Sequence, residues 1–151
     1  MSFTATKGHF LKNGKPHFVI SGEIHYFRLN PKLWEKHLTL LKQSGANTTS
    51  TYISWDWHEY EEGKFDFSWL DEAVELAHQN GIKVVMCTST PTPPAWLAQK
   101  HPEILMENDE GRTIQHGSRQ QISWSSSVYR DYVSKMVEAI GKHYGKDKRI
   151  W

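Results

Sequence analysis

The chain is poor in cysteine: Cys87 is the only one among 151 residues. That excludes an intrachain disulfide and any zinc site built from clustered cysteines. It also lacks a charge excess, with 18 Lys and Arg against 17 Asp and Glu and a formal net charge of +1. Nucleic-acid binders normally carry a clear basic surplus, so no nucleic-acid partner is expected. Long apolar runs are missing as well. None approaches the ~20 residues that span a bilayer, and no apolar segment follows Met1 as a secretory leader would. The expected setting is the cytoplasm, with no membrane partner. A content of 38% apolar and 23% charged residues fits a folded globular chain rather than a disordered or collagenous one. What the chain has in quantity is aromatic side chains: 7 Trp, 6 Tyr and 6 Phe make up 13% of it.

The order of elements can be read from periodicity and turn residues. His9–Leu11 and His17–Ile20 flank Asn13-Gly14, the strongest short hairpin signal, so a hairpin is expected first. Ser21–Phe27 continues as a strand or a strand exit. Asn30-Pro31 supplies an N-cap and a proline for the first helical position. Leu33, Trp34, Leu38 and Leu41 share one helical face, and Gly45 ends the helix. The plan then repeats. Ala46–Ser54 reads as a buried strand, Trp55–Phe67 as a loop, and Ser68-x-x-Asp71 as a capping box. Leu70, Ala73, Val74 and Ala77 form the next helical stripe, ending at Gly81. Ile82–Cys87 is a third strand, and Pro91, Pro93 and Pro94 forbid helix or ladder just after it. A short helix over Ala95–Lys100 and a long loop over Glu107–Ser127 follow. A last helix starts near Ser126 with Val128, Tyr132, Met136, Val137, Ile140 and Tyr144 on one face, and Arg149–Trp151 begins a fourth strand.

Strand and helix alternating three times imply an α/β fold with parallel crossovers. A doubly wound sheet would show a Gly-rich phosphate turn after its first strand, and Ser21-Gly-Glu-Ile-His25 is not one. The eight-stranded (β/α)8, or TIM, barrel is favoured, and it takes ~250 residues. Residues 1–151 are therefore expected to be the N-terminal portion of such a domain: about the first three βα units and the start of strand 4, preceded by a short hairpin.

In such barrels, ligands gather at the carboxyl ends of the strands. Those ends hold Glu23, His25, Tyr26 and Arg28; then Tyr52, Trp55, Asp56, Trp57, His58 and Glu59; then Thr88, Thr90 and Trp96, with Arg119 in the long loop. Rings stack on the apolar faces of sugars while carboxylates, Arg and His bond hydroxyls, so the mixture suits a carbohydrate pocket. Trp34 and Trp69 lie on helical stripes and read as packing. Trp55 and Trp57 alternate, so one of them faces the core. Glu59 either braces its loop or touches substrate. His25 and His58 have no metal-spaced partners and read as hydrogen-bonding histidines. Spacing alone nominates no carboxylate pair as acid and nucleophile.

Two stretches carry a resemblance. Ser21-Gly-Glu-Ile-His-Tyr-Phe-Arg28 with Trp34, then Ser50–Glu59 and Gly63–Phe67, resemble the opening of glycoside hydrolase family 35 β-galactosidases. Thr90–Leu97, His101–Leu105 and Gly117–Arg119 resemble family 42 β-galactosidases. Both are retaining barrel glycosidases, so the resemblance implies a β-galactoside or related carbohydrate as partner, double displacement as chemistry, and no cofactor. It places Tyr52 in the galactose pocket and Arg119 on the sugar; Trp55 and Glu59 complete the candidate binding set. Asp56 stands where family 35 has Asn. Ser123 stands where family 42 often has a zinc-binding Cys, so no metal is expected. The reaction needs two carboxylates ~5–5.5 Å apart, which the family places at the ends of strands 4 and 7. No catalytic residue is therefore nominated within 1–151, and the chain alone is expected to be inactive. Open strand edges are expected to be completed by the rest of a barrel or by self-association. The alternative is a non-catalytic sugar-binding or self-assembling half-barrel.

Overall fold

The computed structural model describes residues 2–88, 90–117 and 121–151. It opens with an antiparallel meander of β1 (Phe3–Thr6), β2 (His9–Lys12) and β3 (Lys15–His17), in the order β1-β2-β3. Asn13 and Gly14 both take positive φ, 51° and 76°, the geometry that a two-residue hairpin turn requires. The expected hairpin is present, with β1 added in front of it and pairing from Phe3↔Lys12 to Thr6↔His9. Every β1 residue is exposed, so no apolar alternation marks it in the sequence. Pro16 lies in β3, an edge strand, where a missing N–H is tolerated. The apolar run His17–Ile20 leaves the sheet after His17, and Phe18 and Ile20 stand exposed. Asn47 holds this exit: its Nδ2 donates to the Phe18 carbonyl at 2.7 Å and its Oδ1 accepts the Ile20 N–H at 3.1 Å.

The second sheet is parallel, in the order β4-β5-β6: β4 (Ser21–Glu23), β5 (Thr48–Ile53) and β6 (Lys83–Thr88). Its register runs from Ser21↔Thr48 to Ile53↔Thr88. A fourth parallel line starts beside β6. Val84 donates to the Arg149 carbonyl at 3.2 Å, accepts from the Trp151 N–H at 3.0 Å, and bridges to Ile150. Helix α1 (Trp34–Gln43) joins β4 to β5, and α3 (Ser68–Gln79) joins β5 to β6. Helix α5 (Ser127–Tyr144) precedes the Ile150 bridge. A single turn, α2 (Trp55–His58), and the short α4 (Ala95–Lys100) lie at the strand exits.

Because side chains alternate along a strand, the register sorts them into two sets. Gly22, Thr49, Thr51, Ile53, Val84 and Met86 share one face; Glu23, Ser50, Tyr52, Val85 and Cys87 share the other. The first face packs on the helices. Thr49, Thr51 and Val84 meet Leu38 of α1 and Leu70, Val74 and Ala77 of α3 around one small cavity. At Gly22 the approach is close: a Cβ would lie 2.6 Å from Leu41 Cδ1, so a larger residue there requires the Leu41 side chain to shift. The second face is only partly covered, and Tyr52 on it is exposed. No helix among the described residues is long and apolar enough to cross a membrane.

Several local expectations need correction. Asn30 does cap, its Oδ1 accepting the Lys32 N–H at 3.0 Å, but it caps a 3-10 turn, Pro31–Leu33, that leads into α1. Leu33 is consequently exposed while Trp34 and Leu38 are buried. The Ser68-x-x-Asp71 capping box does not form. Asp66 Oδ1 accepts the Ser68 N–H at 2.8 Å instead, and Asp71 turns to α5. Helix α5 starts where expected, and Ser126 caps it, its Oγ accepting the Tyr129 N–H at 3.2 Å. The buried stripe there includes Tyr129, and Val137 is exposed.

Candidate functional site at the strand exits

The carboxyl ends of β4, β5 and β6 are held by a chain of buried polar contacts. After β4 the backbone makes a 3-10 turn over Tyr26–Arg28; after β5 it makes α2, where the sequence suggests a loop. His58 is buried in α2, and its Nδ1 lies 2.6 Å from the Asp66 carbonyl, so Nδ1 carries the proton. Its Nε2 is then an acceptor, which the buried Tyr26 hydroxyl serves as donor. The same hydroxyl accepts the Ser54 N–H at 3.4 Å. Burial pushes the His58 pKa down and the Tyr26 pKa up, so both stay neutral near pH 7. This pair fixes the β4 and β5 exits relative to each other.

Trp55 and Glu59 form the second fixture. Both are buried, 1% and 4% exposed. The Trp55 indole N–H donates to Glu59 Oε2 at 2.5 Å, and Glu59 Oε1 accepts the Gly63 N–H at 2.8 Å. Trp96 adds a bond from its indole N–H to the Glu59 carbonyl at 2.7 Å, tying α4 to the same loop. Trp57, by contrast, is exposed.

Tyr52 stands on the open face of β5, 44% exposed. Its ring lies 5.3 Å from that of His25, which stacks at 5.5 Å on Phe27. Glu23 reaches to 3.8 Å from His25 Nε2. Of the four nominated binding residues, then, Tyr52 is exposed, Trp55 and Glu59 are buried against each other, and Arg119 lies outside the described residues. Two exit residues outside the nominated binding set also contribute. Asp56 accepts the Ala95 N–H on Oδ1 at 3.2 Å, linking α2 to the start of α4. Arg28 projects beside it into a cleft of about 170 Å³. The Ala95 partner of Asp56 is 39 residues away, so no local spacing announces that contact.

No three His, Cys, Asp or Glu side chains among the described residues come together as a metal site. At Ser123 a hydroxyl stands where the zinc-binding pattern needs a thiolate, so this donor set does not fit zinc.

Parallel strands joined by helices on one face, with polar and aromatic side chains at the carboxyl ends, define an α/β protein of the βα-repeat class. Residues 25–151 match glycoside hydrolase family 42, described as Beta-galactosidase, and the chain belongs to this family. The match includes the Ser50–Glu59 stretch whose pattern resembles family 35. Among curated relatives, a Beta-1,2-glucosyltransferase of Ignavibacterium album is 39% identical, covering 89% of this chain and 21% of its own length. Beta-galactosidase BbgII of Bifidobacterium bifidum is 34% identical, covering 89% of this chain and 20% of its own. The solved β-galactosidase of the psychrophilic Marinomonas ef1 superposes with a TM-score of 0.81 at 26% identity, over 88% of this chain and 20% of that one. The chain thus spans about a fifth of the length of the curated relatives it matches.

Proposed function

We propose that this chain forms the first three βα units, and the start of the fourth strand, of a (β/α)8 barrel in a retaining β-galactosidase, and contributes part of its sugar subsite. The observation that carries the reading is the open, aromatic and polar face at the carboxyl ends of β4–β6, centred on the exposed Tyr52. In a barrel that face points inward, and the carboxyl ends bear the ligand. Tyr52 would line the galactose pocket and Arg119 would contact the sugar. Trp55 and Glu59 would hold the loop that shapes it. The uncovered face and strand edges would be completed by further βα units, or by another copy of the chain.

The double displacement itself needs two carboxylates ~5–5.5 Å apart, which the family supplies after strands 4 and 7. Residues 1–151 on their own are therefore expected to bind sugar without turning it over. The 39% identical glucosyltransferase favours a second reading, in which the sugar is a glucoside and the acceptor another sugar. Saturation-transfer NMR of the 151-residue chain with methyl β-D-galactoside and methyl β-D-glucoside separates the two. Preferential, saturable transfer from the galactoside supports the galactosidase reading, and preference for the glucoside supports the other. No saturable binding of either sugar would remove the subsite reading, and turnover of a chromogenic β-galactoside would contradict the assignment of the chemistry to other segments.

A further inference from the structure

The cleft at the strand exits is lined by Phe27, Arg28, Ser54, Trp55, Asp56 and Thr92. The exits of all three parallel strands contribute to it: Phe27 and Arg28 follow β4, Ser54 and Asp56 follow β5, and Thr92 follows β6. Its volume of about 170 Å³ is below that of drug-sized pockets, so it suits a single small ring rather than an extended ligand.

Two charged groups in it are incompletely used. Asp56 gives Oδ1 to the Ala95 N–H, and Oδ2 has no hydrogen-bond partner among the described residues. The Arg28 guanidinium lies over the Phe27 ring, 5.5 Å from its centroid, and makes no ion pair or side-chain hydrogen bond among the described residues. Asp56 is exposed at the cleft, and partial desolvation of its carboxyl raises the pKa against the opposing Ala95 bond and the nearby His116.

The chemistry narrows the ligand. A carboxylate in the cleft disfavours an anion, and a guanidinium disfavours a cation. A neutral polyol satisfies both, because its hydroxyls donate to the carboxylate and accept from the guanidinium. The Phe27 ring and the Thr92 hydroxyl complete such a surface. We infer that Asp56 and Arg28 form a hydroxyl-binding pair for one sugar ring, with Asp56 Oδ1 anchored to α4 and its other oxygen accepting from the sugar. The inference rests on the carbohydrate reading above and gives a role to two side chains to which the family resemblance assigns none.

The test is a titration of the 151-residue chain with methyl β-D-galactoside, followed by amide NMR, for the wild type, Asp56→Asn and Arg28→Met. Asn at 56 keeps an acceptor for the Ala95 N–H, and Met at 28 keeps an apolar stem over Phe27, so both variants should fold. A dispersed amide spectrum checks this, and since Arg28 is exposed its variant remains informative if Asp56→Asn unfolds. Hydrogen bonds to charged groups are strong enough that either substitution should weaken binding roughly tenfold or more, and wild-type shifts should centre on the amides of Arg28, Asp56 and Thr92. Wild-type binding that neither substitution weakens would overturn the inference and leave the subsite reading standing. No binding in the wild type would overturn both. Inorganic phosphate saturating the same amides in place of the glycoside would overturn the inference in favour of an anion site.

Discussion

Glu59 divides its carboxylate between two buried donors: Oε2 takes the Trp55 indole N–H at 2.5 Å, and Oε1 takes the Gly63 N–H at 2.8 Å. Glu59→Ala strands both donors, at roughly 1–3 kcal/mol for each buried unsatisfied group. Glu59→Gln keeps one acceptor and should fall between the variant and the wild type. Urea unfolding followed by Trp fluorescence would measure this. Equal stability of all three chains would show that the carboxylate does not brace the loop.

His58 makes stability pH-dependent in a stated direction. Burial lowers its folded-state pKa below the ordinary 6.5. Below pH 6.5 the unfolded chain therefore binds a proton that the folded chain does not, so this contribution is complete above 6.5 and is lost as pH falls, until the folded-state pKa is reached. One proton corresponds to at most about 1.4 kcal/mol per pH unit. Stability measured from pH 7 to pH 5 should decline more steeply for the wild type than for His58→Asn. The comparison isolates His58 because both chains keep the other histidines, and parallel curves would refute the neutral, Tyr26-bonded state.

Elements with local signals were legible in the sequence, and those set by distant partners were not. Asn13-Gly14, the Pro91–Pro94 run, Ser126 and the two Thr- or Val-rich strands β5 and β6 act within a few residues, and all fall where expected. Strand β1 escaped because both its faces are exposed. The α2 turn escaped because its helical form goes with burying Trp55 against Tyr129 and His58 against Tyr26, both far along the chain. At the site, the sequence placed these side chains at the strand exits, where they lie, and left open whether Glu59 braces or binds; the donors it meets occupy both its oxygens. Asp56 and Arg28 are legible as exit residues, but the cleft between them exists only once β4, β5 and β6 are side by side.

The start of α3 is a second place where a local motif lost to a tertiary partner. Asp71 accepts the buried Tyr144 hydroxyl at 2.7 Å and faces His143 Nε2 at 2.9 Å. Desolvation and Asp71 together raise the Tyr144 pKa, so the hydroxyl stays protonated and donating. Asp71→Ala should cost about 1–3 kcal/mol, since the Tyr144 hydroxyl loses its acceptor. The exposed His143 pair adds little to that. Ser68→Ala should stay within about 0.5 kcal/mol, because its side chain caps nothing, whereas Asp66→Ala should lower the unfolding midpoint by removing the acceptor for the Ser68 N–H. A Ser68→Ala loss as large as that of Asp71→Ala would restore the capping box.

Tyr52 and Trp55 should separate binding from stability. Both are aromatic and three residues apart, but Tyr52 is 44% exposed on the open face while Trp55 is buried and bonded. Trp55→Ala should cost about 3–5 kcal/mol as a large buried truncation, enough to unfold a chain of ordinary stability. Tyr52→Ala removes a surface ring that touches mainly His25, and stability should change by no more than about 0.5 kcal/mol. Its effect should appear in sugar binding instead. Tyr52→Phe keeps the ring and loses one hydroxyl, so methyl β-D-galactoside affinity should fall by about 0.5–1.5 kcal/mol, and Tyr52→Ala should lose more. Thermal melts and NMR titration of the same three chains give both readouts. If Tyr52→Ala melts like the wild type and still binds the glycoside with unchanged affinity, the open face of β5 is not where the sugar sits.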